Sequence, residues 1–557
     1  MTVPSRANSG RRRPYPTQAL PIDRLPRIEP SREDLHDDAS MQHTPTTSHH
    51  SSERNGFEKE RRRAYPTQSL PIDKVPHLKP SREILSAELR AQHIPLAIHA
   101  VKDSDTTNKR AGRTLVVCLD GTGDKFDNDN SNIVHLVECL KKDDPSQVTY
   151  YQAGIGTYGA NQDLSAGFSA AIDMAVGSGL GVHVCDAYRF LMATYREGDR
   201  VCLFGFSRGA YTARCLAGMI HKVGLLPAHN GAQVPFAYEM YKDESQHGWE
   251  MSADFKRTFS NDVRVYFIGA FDSVASVGFI PRKLPLSSNP ACQTAYFRHA
   301  MALDEHRAKF AICRYQKYAQ KDVEKGLVQV THNDPETDVQ EVWFAGCHAD
   351  VGGGAVENSK RHMLSRIPLR WMIRQCFECD TGVLFLSAAL AEKGLDVHTL
   401  FPQYRRLSRP AVEPSPSLMN KYEEGNLGPL SRRSTILGTG TASVSSNPFS
   451  DMAAHGQPED LTSEQTEDYF DALCSINDQL VQSYWTWAIL ELWPVKVRVQ
   501  DNRTGVWSKK IRPNMGMYRG VVETEPMMHW TVKQRMESQG YKLKVRTGGE
   551  VGWKVVV

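Results

Sequence analysis

Short apolar runs recur along the chain and end abruptly in turn-forming residues: "TLVVCLDGTGD" from Thr114, "QVTYYQA" to Ala153, "RVCLFGF" to Phe206, "VRVYFIGAF" to Phe271 and "VQEVWFAG" to Gly346. Between them lie segments whose apolar residues recur at helical spacing, such as "SNIVHLVECLKK" and "HVCDAYRFLMATYREG". A strand that is apolar at nearly every position must be covered on both faces. The alternation therefore predicts an α/β fold, a mostly parallel sheet with helices on both sides.

One strand-to-helix junction carries chemistry. "LFGFSRGAYTAR" places Ser207 between Gly205 and Gly209, after a strand and before a helix with His221 and Lys222 in its last turn, Gly224 just past its end and Pro227 beyond. A glycine-x-serine-x-glycine match alone is weak. In this context it has the form of a nucleophile elbow, whose tight turn exposes the serine hydroxyl and leaves no room for side chains at the two flanking glycines. The Arg208 N–H would then stand at a helix N-terminus, where an oxyanion meets a backbone donor and the positive dipole end. The alternative for Ser207 is a structural turn.

A serine hydroxyl needs a base, and the base needs an orienting acid. In α/β-hydrolase-like sheets these follow the nucleophile in the order acid, then histidine, each at the carboxyl end of a strand. Asp272 follows "VYFIGAF" directly, and His348 in "VWFAGCHADVGGG" follows the next strand. Asp350 is the main rival for the acid role and otherwise a supporting residue; Asp304 is a more distant rival. Among the other histidines, His183 and His221 fall in helical patterns, and "FRHAMALDEHRAKF", with His299 and His306, reads as a helix with an exposed polar face. "LDGTGD" is the candidate for a second oxyanion donor, Gly121 or Thr122, with Asp120 bracing the loop; an ordinary strand-ending turn is the alternative.

This chemistry requires no metal and no organic cofactor. The CxxC pair Cys376 and Cys379 lacks a second ligand pair and is expected in a helix core. "LDGT" lacks the first aspartate of an aspartyl-nucleophile phosphatase, because Cys118 stands there. "GIGTYG" from Gly154 matches a dinucleotide fingerprint without the apolar helix that should follow, and is expected to be a loop over the site.

At 557 residues the chain has room for a large domain with appendages. Its 67 basic and 64 acidic residues nearly cancel, so no nucleic-acid partner is expected. Eleven cysteines scattered singly through apolar runs resemble reduced thiols. With no apolar leader at the N-terminus, and Asp173 within the weakly polar stretch from Leu164, an intracellular, cytoplasmic protein without a signal peptide or membrane span is expected.

Residues 1–110 read as a disordered tail. "RRRPYPTQALPIDRLPRIEPSREDL" from Arg11 recurs as "RRRAYPTQSLPIDKVPHLKPSREIL" from Arg61, proline-rich and poor in large apolar residues. Two copies could raise avidity for one protein partner; duplication of a neutral tail is the alternative. The catalytic domain is expected over 111–405 and a flexible Ser/Pro/Gly-rich insertion over 406–462. A C-terminal helix, with Thr462 and Gln465 as its capping box, and a small mixed segment over 463–557 are expected to pack on the catalytic domain. In "SYWTWAILELW", core burial is expected over the alternative, peripheral contact with a membrane.

At "GIGTYG", "DMAVGSGLG", "LFGFSRGAYTAR", "FDSV", "HADVGGG" and "IPLRWM" the chain resembles fungal proteins of an uncharacterised α/β-hydrolase domain family. That family is similar to the catalytic domain of type VI secretion phospholipase effectors. The likeness runs over about 113–386, with a weaker echo at "HWTVKQRM". It implies Ser207 as nucleophile, Asp272 as acid and His348 as base. The expected activity is hydrolysis of carboxylic esters, phospholipid acyl esters included, through an acyl-enzyme; the alternative is an inactive fold that recruits partners through the repeated tail.

Overall fold

A sheet of eight strands, every neighbouring pair parallel, runs through the centre of the computed structural model. The structure describes residues 81–105, 112–154, 168–275, 294–315, 336–409, 413–425, 464–492, 494–500 and 506–557. The strands are β1 (Thr114–Leu119), β2 (Gln147–Gln152), β3 (Arg200–Phe206), β4 (Val265–Phe271), β5 (Tyr296–Ala302), β6 (Asp338–Phe344), β7 (Met527–His529) and β8 (Lys554–Val556). Their spatial order is β8-β7-β6-β5-β4-β3-β1-β2.

The period of two along each strand sorts the core into two layers. Val116, Cys118, Phe204, Phe206, Phe267 and Phe271 point to one side, where helices α1 (Ser81–Ala91) and α2 (Asn132–Cys139) pack. Leu115, Val117, Leu119, Leu203, Ile268 and Ala270 point to the other, against α3 (Phe168–Thr194) and α4 (Ser207–Val223). Helix α5 (Arg366–Glu378) belongs to the first layer, through Leu369, Met372, Ile373 and Phe377. The runs had to be apolar almost throughout because both faces are buried.

Three expectations change. "FRHAMALDEHRAKF" is not a helix: its first half is β5, a fully paired strand. Its polar residues mask the strand pattern, and they are buried because each finds partners. Arg298 pairs with Asp338 at 3.0 Å and donates to Gln375, while His299 bonds Glu341 at 2.9 Å. The folded part also begins earlier than residue 111. Helix α1 buries Leu85 and Leu89, and Ala97–His99 pairs antiparallel with Leu384–Leu386. The end of the second repeat copy, Ser81 to Leu85, thus lies in a helix; the rest of both copies lies outside the described residues. Within the expected insertion, Pro416–Glu423 is helical, and Tyr422 stacks on Phe470 at 4.7 Å.

The C-terminal residues extend the main sheet, since β7 pairs with β6 and β8 with β7. Helix α6 (Glu464–Leu473) is tied to α5 by buried forks from Arg370 to Asp468 and from Arg374 to Glu464. Helix α7 (Tyr484–Leu492) and an antiparallel hairpin, Val495–Gln500 with Trp507–Arg512, follow. Thr462 of the expected capping box lies outside the described residues. Cys376 and Cys379 are buried in the first core layer. Among the described residues no helix is long and apolar enough to cross a membrane.

The early start of the fold has a measurable consequence. A chain lacking residues 1–76 keeps Leu85, Leu89 and Ile98 in the core and is expected to unfold at the same urea midpoint as the full chain. Removal of residues 1–110 strips these buried side chains, each stabilising by about 1.5–3 kcal/mol, and the midpoint is expected to fall sharply or the protein to aggregate.

Candidate functional site

The chain runs from β1 outward to β2, then returns to place β3 on the other side of β1 and continues away from it. Sheets of this kind usually take their ligands at such a reversal, at the carboxyl ends of the two strands that flank it, here β1 and β3. Ser207 follows β3 there, held at φ +57, a left-handed conformation uncommon outside glycine. The flanking glycines are sterically required. A Cβ at Gly205 would lie 2.5 Å from the Ala210 backbone nitrogen, and one at Gly209 would lie 2.2 Å from the Leu119 carbonyl oxygen. Any larger residue at 209 would push α4 off the end of β1.

Asp272 follows β4, also in the left-handed region at φ +38, and His348 opens a short helical turn, His348–Gly352, after β6. The structure brings the three together. Ser207 Oγ lies 2.8 Å from His348 Nε2, and His348 Nδ1 lies 2.5 Å from Asp272 Oδ2. An ionised carboxylate only accepts, so Nδ1 carries the proton and Nε2 accepts from the serine.

Asp272 has a further partner that no sequence pattern indicated. Arg519, 247 residues away, forks onto it, Nη1 to Oδ1 at 2.6 Å and Nη2 to Oδ2 at 2.9 Å. The Ala302 N–H donates to Oδ1 at 2.9 Å. Arg519 also donates to the carbonyls of Ala302 and Phe310. Asp272 is fully buried, yet its lone pairs are met by His348, by the guanidinium and by a backbone donor, so ionisation is not opposed by missing hydrogen bonds.

Burial raises the Asp272 carboxyl, but the Arg519 charge and the hydrogen bond from His348 outweigh it and hold the group well below the usual carboxylate range. For His348, burial is the largest influence and lowers the imidazole. The hydrogen bond to Asp272 and the charges of Asp272 and Glu305 oppose this, Arg307 reinforces it, and the net position is below the ordinary 6.5. Glu305 accepts the His348 backbone N–H at 3.2 Å and is itself forked by Arg307. Burial raises its carboxyl, but Arg307 more than offsets this and brings it to about 2. The rings of Phe206 and Phe310 each lie 4.7 Å from the imidazole, giving it an apolar wall.

The loop after β1 sits against the elbow. Asp120 braces it: Oδ1 accepts from the Gly121 N–H at 2.8 Å and from Ser131 Oγ at 2.7 Å, and Oδ2 accepts from the Tyr151 hydroxyl at 2.9 Å. The Gly121 N–H is therefore committed to Asp120. Thr122 is half-buried, and its hydroxyl oxygen has no hydrogen-bond partner. A Cβ at Gly121 would meet Asp124 Oδ2 at 2.1 Å and the Phe206 ring at 2.9 Å. Burial and the neighbouring charges of Asp120 and Asp127 push the Asp124 carboxyl well above its usual range, against the opposing charge of Arg208. Arg208 is the second residue of α4, so its N–H lies in the first turn, at the positive end of the helix.

Neither rival acid contacts the imidazole. Asp350 accepts from the N–H groups of Cys347 and Asn477 at 2.8 and 2.9 Å, which locks the turn that carries His348 to the segment after α6. Asp304 accepts from the Gly346 N–H at 2.7 Å and the Tyr541 hydroxyl at 2.8 Å. His299 is close behind the acid: its Nε2 accepts from the Ser273 N–H at 3.0 Å, and it does not face Ser207. Among the described residues no group of three or more His, Cys, Asp or Glu is placed to hold a metal ion. Most of "GIGTYG" lies outside the described residues.

Comparison with known proteins gives a consistent family likeness. Residues 113–375 match the model of a family described as the type VI secretion phospholipase effector Tle1-like catalytic domain. The chain resembles that domain. It is 26% identical over 559 residues to the uncharacterized protein YEL023C of Saccharomyces cerevisiae, covering 78% of this chain and 80% of the yeast protein. Two solved structures are similar in part. One is an uncharacterized protein from Pseudomonas aeruginosa, with 16% identity, a TM-score of 0.33 and coverage of 62% of this chain and 55% of that one. The other is the Tle1 effector bound to the VgrG spike of the type 6 secretion system, with 18% identity, a TM-score of 0.26 and coverage of 45% and 53%. The chain thus spans about half the length of these solved structures.

Proposed function

We propose that the protein is a serine hydrolase of carboxylic esters whose substrates include the acyl esters of phospholipids. The observation that carries this reading is the unbroken line from Ser207 Oγ through His348 to Asp272, at the carboxyl ends of β3, β6 and β4. The match of residues 113–375 to a phospholipase effector catalytic domain supports the lipid part.

In this reading His348 Nε2 takes the hydroxyl proton as Ser207 Oγ attacks the ester carbonyl carbon, and Asp272 holds the imidazolium that forms. The carbonyl oxygen becomes an oxyanion at the N-terminus of α4, facing the Arg208 N–H. With the Gly121 N–H held by Asp120, Thr122 is the donor of the facing loop. Collapse breaks the bond to the alcohol oxygen, which takes the proton from His348 and leaves an acyl-Ser207. Water then repeats the sequence and releases the carboxylic acid.

The test is turnover of a monomeric short-chain ester and of phospholipid vesicles by the purified chain, with product analysis. Fatty acid and lysophospholipid are expected. Release of the head group with both acyl chains intact would overturn the acyl-ester reading, and absence of turnover by folded protein would overturn the hydrolase. The base works only when neutral, and a lowered imidazole stays neutral to lower pH. The expected kcat/KM on the monomeric ester is therefore level from pH 7 down past 6.5, then falls about tenfold per pH unit. A profile already declining at pH 7 would contradict the lowered position of His348.

A further inference from the structure

Helix α7 is apolar nearly all the way round, and among its described side chains one side is covered while another is exposed. Trp487 packs on Phe310 with ring centroids 5.6 Å apart, Leu490 is buried, and Glu491 accepts from the N–H groups of Ala308 and Gly516 at 2.5 and 2.8 Å. On the opposite side Trp485 and Leu492, seven residues apart and so on one helical face, are 85% and 61% exposed. Val481, Tyr484, Ile511 and Met515 are also exposed, each above 55%. Connections within the segment make them neighbours. The Asn514 N–H donates to the Glu491 carbonyl at 3.1 Å, beside Met515, and Ile511 is in register with Lys496, two residues beyond the Pro494 that ends the helix. Isolated exposed side chains are ordinary, but an apolar group of this kind on one continuous segment marks a contact surface.

We propose that this face, formed by α7 with the edge of the hairpin behind it, docks on an anionic phospholipid bilayer. Charge selects this occupant. The hairpin strands "VKVRVQ" and "WSKKIR" contain five basic residues and no acidic one; Lys496 stands in register with Ile511, and Lys510 and Arg512 are exposed on the alternate face of the same strand. Tryptophan and tyrosine next to cationic side chains suit the boundary between head groups and acyl chains, whereas a protein partner would require no such cationic margin. Position adds a reason for the contact. The covered side of α7 reaches Phe310, and Phe310 lies 4.7 Å from the His348 ring, so a bilayer seated on the outer side would lie one helix away from Ser207. The inference deepens the lipid-ester reading above by naming how the surface is reached.

The experiment separates docking from catalysis. Binding is measured with full-length Ser207→Ala protein by co-sedimentation with phosphatidylcholine vesicles, with and without phosphatidylserine. The added pair Trp485→Ser and Leu492→Ser is expected to weaken partitioning by roughly ten- to a hundredfold, since two large apolar side chains no longer enter the interface. The same pair in the otherwise native chain should leave turnover of a monomeric ester unchanged, which also reports that it folds. Lys496→Glu with Lys510→Glu and Arg512→Glu is expected to remove the preference for phosphatidylserine. Unchanged partitioning in the Trp485 and Leu492 variant would overturn the proposal. So would a wild-type dimer that this variant loses while vesicles bind neither protein, because the face would then be a contact between copies. Vesicle binding that persists without ester turnover by the native chain would instead sink the hydrolase reading and leave the docking surface standing.

Discussion

Ser207→Ala is expected to abolish labelling by a fluorophosphonate probe and to lower ester turnover by a factor on the order of 10⁴ to 10⁶, the range set by groups that act as a unit with their base. The fold should be nearly unaffected. Alanine fits the space of serine at φ +57, and the side-chain hydrogen bond lost is that to His348, about 1 kcal/mol. His348→Ala should cost as much turnover, and the double variant scarcely more, because a nucleophile without its base and a base without its nucleophile are equally idle. Full labelling of the alanine variant would mean that another nucleophile reacts, and the geometry around the elbow would have to be reread as structural. Loss of labelling together with a large fall in the urea midpoint would leave Ser207 with only a packing role.

The parts of this site that were legible in sequence share one property: local chain geometry forces them. Gly205 and Gly209 are readable because a tight strand-to-helix turn excludes side chains, as the short distances to Ala210 and Leu119 make explicit. Asp272 and His348 are readable because each ends an apolar strand, and strand ends in a parallel sheet share one rim. Arg519 had no such mark. It stands in "MYRGVVETEP", with no periodicity or motif, and becomes significant only because β7 and β8 join the far edge of the sheet and bring their preceding loop across to Asp272. Helical spacing misread β5, because Arg298 and His299 look like a polar face until Asp338, Gln375 and Glu341 are seen to pair with them. The exposure of Trp485 was hidden for the opposite reason: an aromatic-rich helix is ordinarily a core element, and sequence does not say which side finds a neighbour.

The fork between Arg519 and Asp272 makes the second large effect measurable in two ways. Asp272→Asn is expected to lower turnover by about 10⁴, because the amide can no longer hold His348 in the required tautomer or stabilise its charged form. It should also destabilise the fold by about 3–5 kcal/mol, because the buried guanidinium of Arg519 loses its countercharge. Arg519→Gln reverses the imbalance, leaving the carboxylate without its cation. If the double variant recovers most of the stability lost by either single change, the pair is a mutually dependent buried ion pair. Activity then separates support from chemistry. Arg519 draws on the same carboxylate that favours the imidazolium, so its removal should raise His348 and move the acidic limb of kcat/KM to higher pH. Arg519→Lys keeps the charge and should leave that limb in place even where rigidity is lost. Identical acidic limbs in the glutamine and lysine variants would reduce Arg519 to a packing element; a limb displaced only in the glutamine variant would make it the residue that keeps the base neutral in mild acid.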